Sequence, residues 1–236
     1  MTVNLKSHDA VGLAARMLSH GPLVSEALRL ASYAHDGQFR KECRVGVEYK
    51  DPYIAHPMRN ALRVARFTED RLPIRTVQNL VVSSLLHDTV EDVAPRIVSF
   101  YTESPVQGVS REQALLLIEQ NFGKEVFDTV LRVTNPVLPE GMSKEERNQA
   151  YVRHLLSAVV TSESAWLTKA SDLIDNAGSL KHMCVCDKQR NLAAKYNEPV
   201  SLLLGHRGIV RDEEVRNEVE MRLAQVSAEL LDILEG

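Results

Sequence analysis

Apolar residues recur at steps of three and four along most of the chain, which is the spacing of one face of an α-helix. The spacing predicts a helix from Ser25 to His35 and a long last helix with a stripe from Val215 to Leu234. Between them, helices are predicted after Pro57, from Pro73 into His87, over 164–180 and over 187–204. Alternation typical of β-strands is scarce, so the pattern predicts an all-α fold.

Two helix starts carry a capping box, in which a serine is followed three residues later by Gln or Glu. They are Ser110 with Gln113 and Ser143 with Glu146. Residues 93–109 are ambiguous, because Pro95 and a Ser-Pro-Val-Gln-Gly stretch favour a loop. Without a repeat or a convincing linker, the chain is predicted to form one helical domain over 25–204. In this interpretation an N-terminal helical extension (1–24) precedes the domain, and a C-terminal amphipathic helix (205–236) packs on it.

Composition narrows the class of protein. The chain has 236 residues, 44% of them hydrophobic, which is enough for a sizeable core. Net charge is −4, and no Lys/Arg run indicates a nucleic-acid or membrane partner. Neither a signal-peptide layout nor an apolar run of about 18 residues is present. Three cysteines without a metal-binding arrangement favour inert thiols, and together these features predict a cytoplasmic protein.

One imidazole and three carboxylates fall within six residues, His87-Asp-Thr-Val-Glu-Asp92, directly after the apolar run Leu80–Leu86. Unpaired buried charge is costly, and a bound cation would offset it, since imidazole nitrogen and carboxylate oxygen are metal ligands. If the preceding helix continues, His87 shares a face with Glu91, and Asp88 with Asp92. Acids at a helix C-terminus oppose its dipole, which favours a chemical role for them. His35 and Asp172, on other predicted helices, are candidates for the remaining ligands.

Six ordered motifs resemble the hydrolase domain of the RelA/SpoT family, within the HD superfamily of metal-dependent phosphohydrolases. They are Ala34-His-Asp-Gly-Gln-Phe-Arg-Lys41, Pro52-Tyr-Ile-Ala-His-Pro57, Leu85-Leu-His-Asp-Thr-Val-Glu-Asp92, Asn121-Phe-Gly123, Val133-Thr134 and Lys169-Ala-Ser-Asp-Leu-Ile-Asp-Asn176. The resemblance covers roughly residues 25–200. It implies a single HD-domain helical bundle, an enzyme that removes pyrophosphate from the 3′ position of ppGpp, and a manganese ion as cofactor.

The resemblance also implies a role for each matching residue. One metal ion is bound by two histidines and two aspartates, and two acids position or deprotonate the attacking water. Basic side chains line the nucleotide pocket, and two polar residues contact ribose and base. The implied metal ligands are His35, His87, Asp88 and Asp172, and the two acids are Glu91 and Asp92. The implied basic residues of the pocket are Arg40 and Lys41, and the implied contacts to ribose and base are Asn176 and Ser179. His56 is interpreted as a structural group rather than a ligand.

Two departures keep alternatives open. Ser171 and Asp175 stand where the family commonly has Ala and His, and the segment between Asp92 and Phe122 is longer than in small hydrolases of this kind. The substrate could therefore be an adenosine alarmone or a phosphoadenosine compound, or the chain could be a non-catalytic nucleotide-binding regulator. The last helix could serve a homodimer, although covering the core is the simpler role. Too few residues follow position 200 for a synthetase domain, so a hydrolase-only chain is expected.

Overall fold

The structure is a computed structural model that describes residues 12, 15, 17, 20–40, 51–106 and 108–236. Over these residues it contains α-helices, short 3₁₀ turns and a single isolated β-bridge between Phe39 and Pro52. The predicted all-α fold is confirmed. Lys41 and most of the predicted N-terminal extension lie outside the described residues.

The chain divides into two compact units, and the described residues before Asn135 form the first. Its helices are α1 (Pro22–Ala34), α2 (Ala55–Thr68), α3 (Ile74–Leu86), α4 (Thr89–Thr102), α5 (Arg111–Phe122) and α6 (Lys124–Val133). Helix α3 packs against α1, α2 and α6. Its run Leu80–Leu86 is buried throughout, as expected for a helix surrounded by others. The end of α3 is therefore delivered into the interior of this unit.

The continuous helix predicted through His87 to Asp92 is wrong. Helix α3 ends at Leu86, His87 follows it, and Asp88 precedes the new helix α4. Glu91 and Asp92 thus lie in the first turn of α4, where acids are favoured by the helix dipole. The argument that these acids oppose a helix dipole, which favoured a chemical role for them, falls with that correction.

Helix α4 covers much of the ambiguous stretch and runs to Thr102 with Pro95 inside it. Val93 adopts a non-helical conformation (φ −144°, ψ 33°), so two helical segments meet at a kink there. Pro95 lies in the first turn after the kink, where proline is tolerated. Both predicted capping boxes are confirmed, at the starts of α5 and α7 (Lys144–Val159).

The second unit comprises Asn135–Gly236. It contains α7, α8 (Glu163–Gly178), α9 (Asp187–Gly205) and α10 (Glu213–Glu235). Trp166 of α8 is fully buried, and its indole N–H donates to the Leu203 carbonyl of α9 at 3.2 Å. Helix α10 packs on α8 and α9 through the stripe predicted for it, with Val215, Val219, Leu223, Val226 and Leu230 buried.

Within the described part of the chain, none of the helices combines the length and apolar character needed to cross a membrane. The domain boundaries at residues 24 and 204 remain predictions.

Candidate metal centre and catalytic site

One carboxylate oxygen, Oδ2 of Asp88, is the meeting point of polar groups in the first unit. The Tyr53 hydroxyl donates to it at 2.7 Å, and the Nε2 atoms of His87 and His56 lie 3.0 Å and 3.6 Å away. Both histidines are almost fully buried, whereas the Asp88 side chain is 22% exposed. The break between α3 and α4 makes this possible, because it turns adjacent side chains toward one point. A small polar centre therefore opens toward solvent through Asp88.

His87 is oriented as a metal ligand would be. Its Nδ1 lies 2.9 Å from the Ser84 carbonyl oxygen, which can only accept, so Nδ1 carries the hydrogen. When the ring is neutral, it presents a lone pair at Nε2, toward the Asp88 oxygen. Two acceptors at 3.0 Å repel each other unless a proton or a cation lies between them. Nitrogen and oxygen ligands lie about 2.0–2.2 Å from an ion such as zinc, so neighbouring ligands stand about 3 Å apart. This pair fits a divalent cation.

His35 has the same arrangement. Its Nδ1 lies 2.8 Å from the Gln38 side-chain oxygen, which leaves Nε2 as the acceptor of the neutral ring. That Nε2 is buried without a hydrogen-bond partner among the described residues. Burial is the main influence on the His35 ring and lowers its pKa, although Gln38 and the Asp88 charge oppose the shift. A neutral imidazole with a buried lone pair is ready to bind a metal ion.

His56 lies against these residues. Its ring centroid is 5.2 Å from that of His87, and its Nε2 is 3.2 Å from the Asn60 side-chain nitrogen. Sequence reasoning treats His56 as a structural group, and the structure adds that it faces the same carboxylate oxygen as His87. The amide of Asn60 donates to Nε2, which fixes the ring within the centre.

Tyr53 is a site residue that sequence reasoning did not single out. Besides its bond to Asp88, its ring packs against the His35 ring at a tilt of 35°, with centroids 4.7 Å apart. The Arg40 guanidinium carbon lies 6.0 Å from the centroid of the same ring, and its side chain is nearly buried. The signal was present, since Tyr53 belongs to one of the six motifs, but no chemistry in its neighbours pointed to Asp88.

Glu91 and Asp92 follow the centre in the first turn of α4, Glu91 half-buried and Asp92 exposed. The Glu91 carbonyl accepts from the Arg111 guanidinium at 3.1 Å. Both acids therefore lie in the helical turn that begins directly after Asp88.

Asp172, the remaining predicted ligand, belongs to the second unit. It is buried in α8, and both of its oxygens accept strong hydrogen bonds. Lys169 Nζ donates to Oδ2 and Asn176 Nδ2 donates to Oδ1, each at 2.6 Å. Carboxylate oxygens have two lone pairs each, so Asp172 keeps acceptor capacity beyond these partners. The Lys169 contact was not predicted, although the residue begins the motif.

The two predicted substrate contacts in this unit have structural roles as well. Asn176 lies within α8, and its side-chain amide donates to the Asp172 carboxylate. Ser179 is the residue that ends α8, and its hydroxyl donates to the Asn176 carbonyl at 2.8 Å.

No protein-family model matches the chain. It is similar to a probable guanosine-3′,5′-bis(diphosphate) 3′-pyrophosphohydrolase of Mycoplasma pneumoniae, with 26% identity over 89% of the chain. It is also similar to the guanosine-3′,5′-bis(diphosphate) 3′-pyrophosphohydrolase of Aquifex aeolicus, with 27% identity over 87% of the chain. The chain spans about a quarter of the length of these curated relatives, 24% of each.

The fold is similar to a solved structure described as a metazoan ortholog of SpoT that hydrolyzes ppGpp and plays a role in starvation responses. The TM-score is 0.59 at 20% identity, over 89% of this chain and 96% of the other. The resemblance predicted from the six motifs is therefore confirmed, and the helical fold agrees with that of the neighbour.

Proposed function

We propose that the protein is a metal-dependent hydrolase that converts ppGpp to GDP and pyrophosphate. The observation that carries the proposal is the pairing of His87 and Asp88, with a ring nitrogen and a carboxylate oxygen 3.0 Å apart. Similarity to curated ppGpp pyrophosphohydrolases supports the substrate. Water attacks the phosphorus bonded to the ribose 3′ oxygen, the bond between these two atoms breaks, and the 3′ oxygen takes up a proton.

The proposed ligand set consists of His35, His87, Asp88 and Asp172, binding one manganese ion. The fixed Nδ1–H groups of both histidines support their part in it, and Asp172 is included on the family resemblance. When bound, such an ion offsets charge on phosphoryl oxygens and promotes deprotonation of water. Tyr53 holds the Asp88 carboxylate in position by its hydrogen bond.

Glu91 and Asp92 are proposed to orient the attacking water and to accept its proton. A carboxylate within hydrogen-bond reach of water contributes typically about 10²–10⁴-fold to such a reaction. Arg40 and Lys41 are proposed to bind phosphate or stack on the base, and Asn176 and Ser179 to contact the nucleoside. The partly exposed Asp88 side chain supports substrate entry from that side of the centre. We place the protein in the cytoplasm, where its substrate is expected.

The test is to incubate the purified protein with ppGpp and Mn²⁺ and to identify the products. GDP and pyrophosphate in equal amounts are expected, and Glu91→Gln should lower kcat by about 10²–10⁴-fold. Glu119→Gln, in α5 of the same unit, is the matched control and should retain activity. The absence of turnover by folded, manganese-loaded protein contradicts the proposal.

The base preference is decided by a panel that sets guanine alarmones beside adenosine alarmones and phosphoadenosine compounds. The departures at Ser171 and Asp175 favour including the adenine set, since both residues are buried in the α8 segment that carries Asp172. If an adenine compound is hydrolysed faster than ppGpp, that compound replaces ppGpp as the proposed substrate. Tight nucleotide binding with no turnover of any substrate would favour a regulator.

A further inference from the structure

Helix α4 has a gap in its backbone hydrogen bonding that falls on Glu91. Pro95 lies inside the helix and has no N–H, so it cannot donate to the carbonyl four residues earlier. That carbonyl belongs to Glu91. In the same turn, Val93 departs from helical geometry. The Glu91 carbonyl therefore receives no regular helical hydrogen bond from position 95, although the Asp92 N–H donates to the Asp88 carbonyl at 3.0 Å in the same turn.

The guanidinium of Arg111 fills this gap. It donates to the Glu91 carbonyl oxygen at 3.1 Å, from a side chain that is half-buried. Arg111 begins helix α5, whose start is fixed by the Ser110 capping box. A basic residue in a first turn is opposed by the helix dipole, so a tertiary contact is a better reason for arginine here than helix stability. The contact links α5 to the first turn of α4.

We infer that Arg111 is a positioning residue for Glu91, acting through the Glu91 backbone rather than on substrate. The inference rests on the proposed role of Glu91 in water activation. It gives a function to the long segment between Asp92 and Phe122. A guanidinium suits this role because its charge strengthens the bond to the carbonyl and its planar fork limits the directions of approach.

The first measurement is the kcat of Arg111→Met with ppGpp and Mn²⁺. A misplacement of about 1 Å can cost about 10²-fold in rate, so we expect kcat to fall by about 10- to 100-fold with little change in KM. Arg75→Met is the matched control, an exposed arginine in the first turn of α3, and should keep the activity of the parent protein. If Arg111→Met is unfolded by circular dichroism, Arg111→Lys replaces it, with a smaller loss of kcat expected. A kcat equal to that of the parent contradicts the inference.

Two backgrounds separate positioning from a general structural role. Pro95→Ala supplies the missing N–H, so Arg111→Met should lose less activity in Pro95→Ala than in the parent protein. In Glu91→Gln, adding Arg111→Met should change kcat by less than about twofold, because residues that act as a unit are strongly non-additive. Equal losses in all backgrounds overturn the inference.

A readout without substrate distinguishes this inference from the proposed function. In metal-free protein, backbone amides in the first two turns of α4 should exchange with deuterium faster in Arg111→Met than in Arg75→Met. This result is expected even if ppGpp proves not to be the substrate. Unchanged exchange overturns the positioning role, whereas absent ppGpp turnover in the parent protein overturns only the proposed function.

Discussion

At the scale of single residues, the chemistry of the centre depends on how each histidine is oriented. The Ser84 carbonyl and the Gln38 side chain fix the Nδ1 hydrogens of His87 and His35, so in the neutral rings both Nε2 atoms are acceptors. Losing such a partner of a metal ligand typically lowers metal affinity by about 10- to 100-fold. Tyr53 is the corresponding partner of Asp88, because its hydroxyl donates to the carboxylate.

Tyr53→Phe removes one hydroxyl and keeps the ring beside His35. We expect manganese affinity to fall by about 10- to 100-fold, the usual cost of losing a partner of a metal ligand. Isothermal titration calorimetry measures the change. Tyr101→Phe, which removes a buried hydroxyl elsewhere in the first unit, should keep the affinity of the parent protein. Equal affinities for the two variants contradict the role of Tyr53.

The lowered pKa of His35 predicts a pH dependence of stability in metal-free protein. The folded state prefers the neutral ring, so the unfolded chain binds more protons as pH falls below about 6.5, the unperturbed pKa of histidine. The His35 contribution is complete above that pH and is lost as pH falls from it toward the lower pKa of His35 in the folded state. His35→Gln should therefore show a shallower loss of unfolding free energy between about pH 7 and pH 5.

Urea titrations at several pH values measure that slope. His206→Gln, which removes an exposed histidine, is the control and should follow the parent protein. Parallel curves for His35→Gln and the parent would show that His35 is not held in its neutral form.

At the scale of helices, side chains from distant parts of the sequence bind backbone groups that a helix end leaves without a partner. Arg96 of α4 donates to carbonyls at the end of α1 and just beyond it, with Nη1 3.1 Å from the Ala34 oxygen and 2.6 Å from the Asp36 oxygen. The last carbonyls of a helix have no partner within it, so this arginine acts as a cap beside His35.

Arg96→Met should lower the free energy of unfolding by about 1 kcal/mol, a modest value because the arginine is exposed. Chemical denaturation measures it, and Arg75→Met again serves as the control. A change no larger than that of Arg75→Met would remove the capping role.

In α8, Lys169 and Asp172 form a buried ion pair, each side chain 7% exposed. Removing one partner of such a pair costs about 3–5 kcal/mol, because the other charge stays buried and unpaired. Lys169→Met should therefore be strongly destabilising. Lys124→Met, which breaks an exposed pair with Asp128 at 3.0 Å, should cost less than about 1 kcal/mol. Similar losses in the two variants would contradict this difference.

At the scale of the whole molecule, metal binding should stabilise the folded protein. An ion that binds only the native state adds about 2.7 kcal/mol at a concentration 100 times its Kd. For a chain of this size that corresponds to a rise in Tm of about 5–10 °C. Differential scanning calorimetry with Mn²⁺ and with a chelator measures it. Asp88→Asn should lose most of the rise, and an equal rise in that variant would place the ion elsewhere.

Much of the architecture follows from local sequence. Helical spacing, two capping boxes and the buried Leu80–Leu86 run predict elements that the structure confirms, because each depends on residues within a few turns of one another. The break at His87 and Asp88 was missed. The apolar pattern stops at Leu86 in either case, and only packing decides whether the chain continues as a helix or turns into a new one.

By itself, the sequence determined the all-α fold, the six motifs and the residues that are chemically able to bind metal and accept protons. Only the tertiary structure decided which side chains hold these metal-binding and proton-accepting residues in position. Tyr53 reaches Asp88 from 35 residues away, and Arg111 reaches the Glu91 carbonyl from 20 residues away. Side chains this far apart meet through the packing of whole helices. Residue type and spacing therefore indicated the reactive groups, whereas their orientation was fixed by helices brought together in the core.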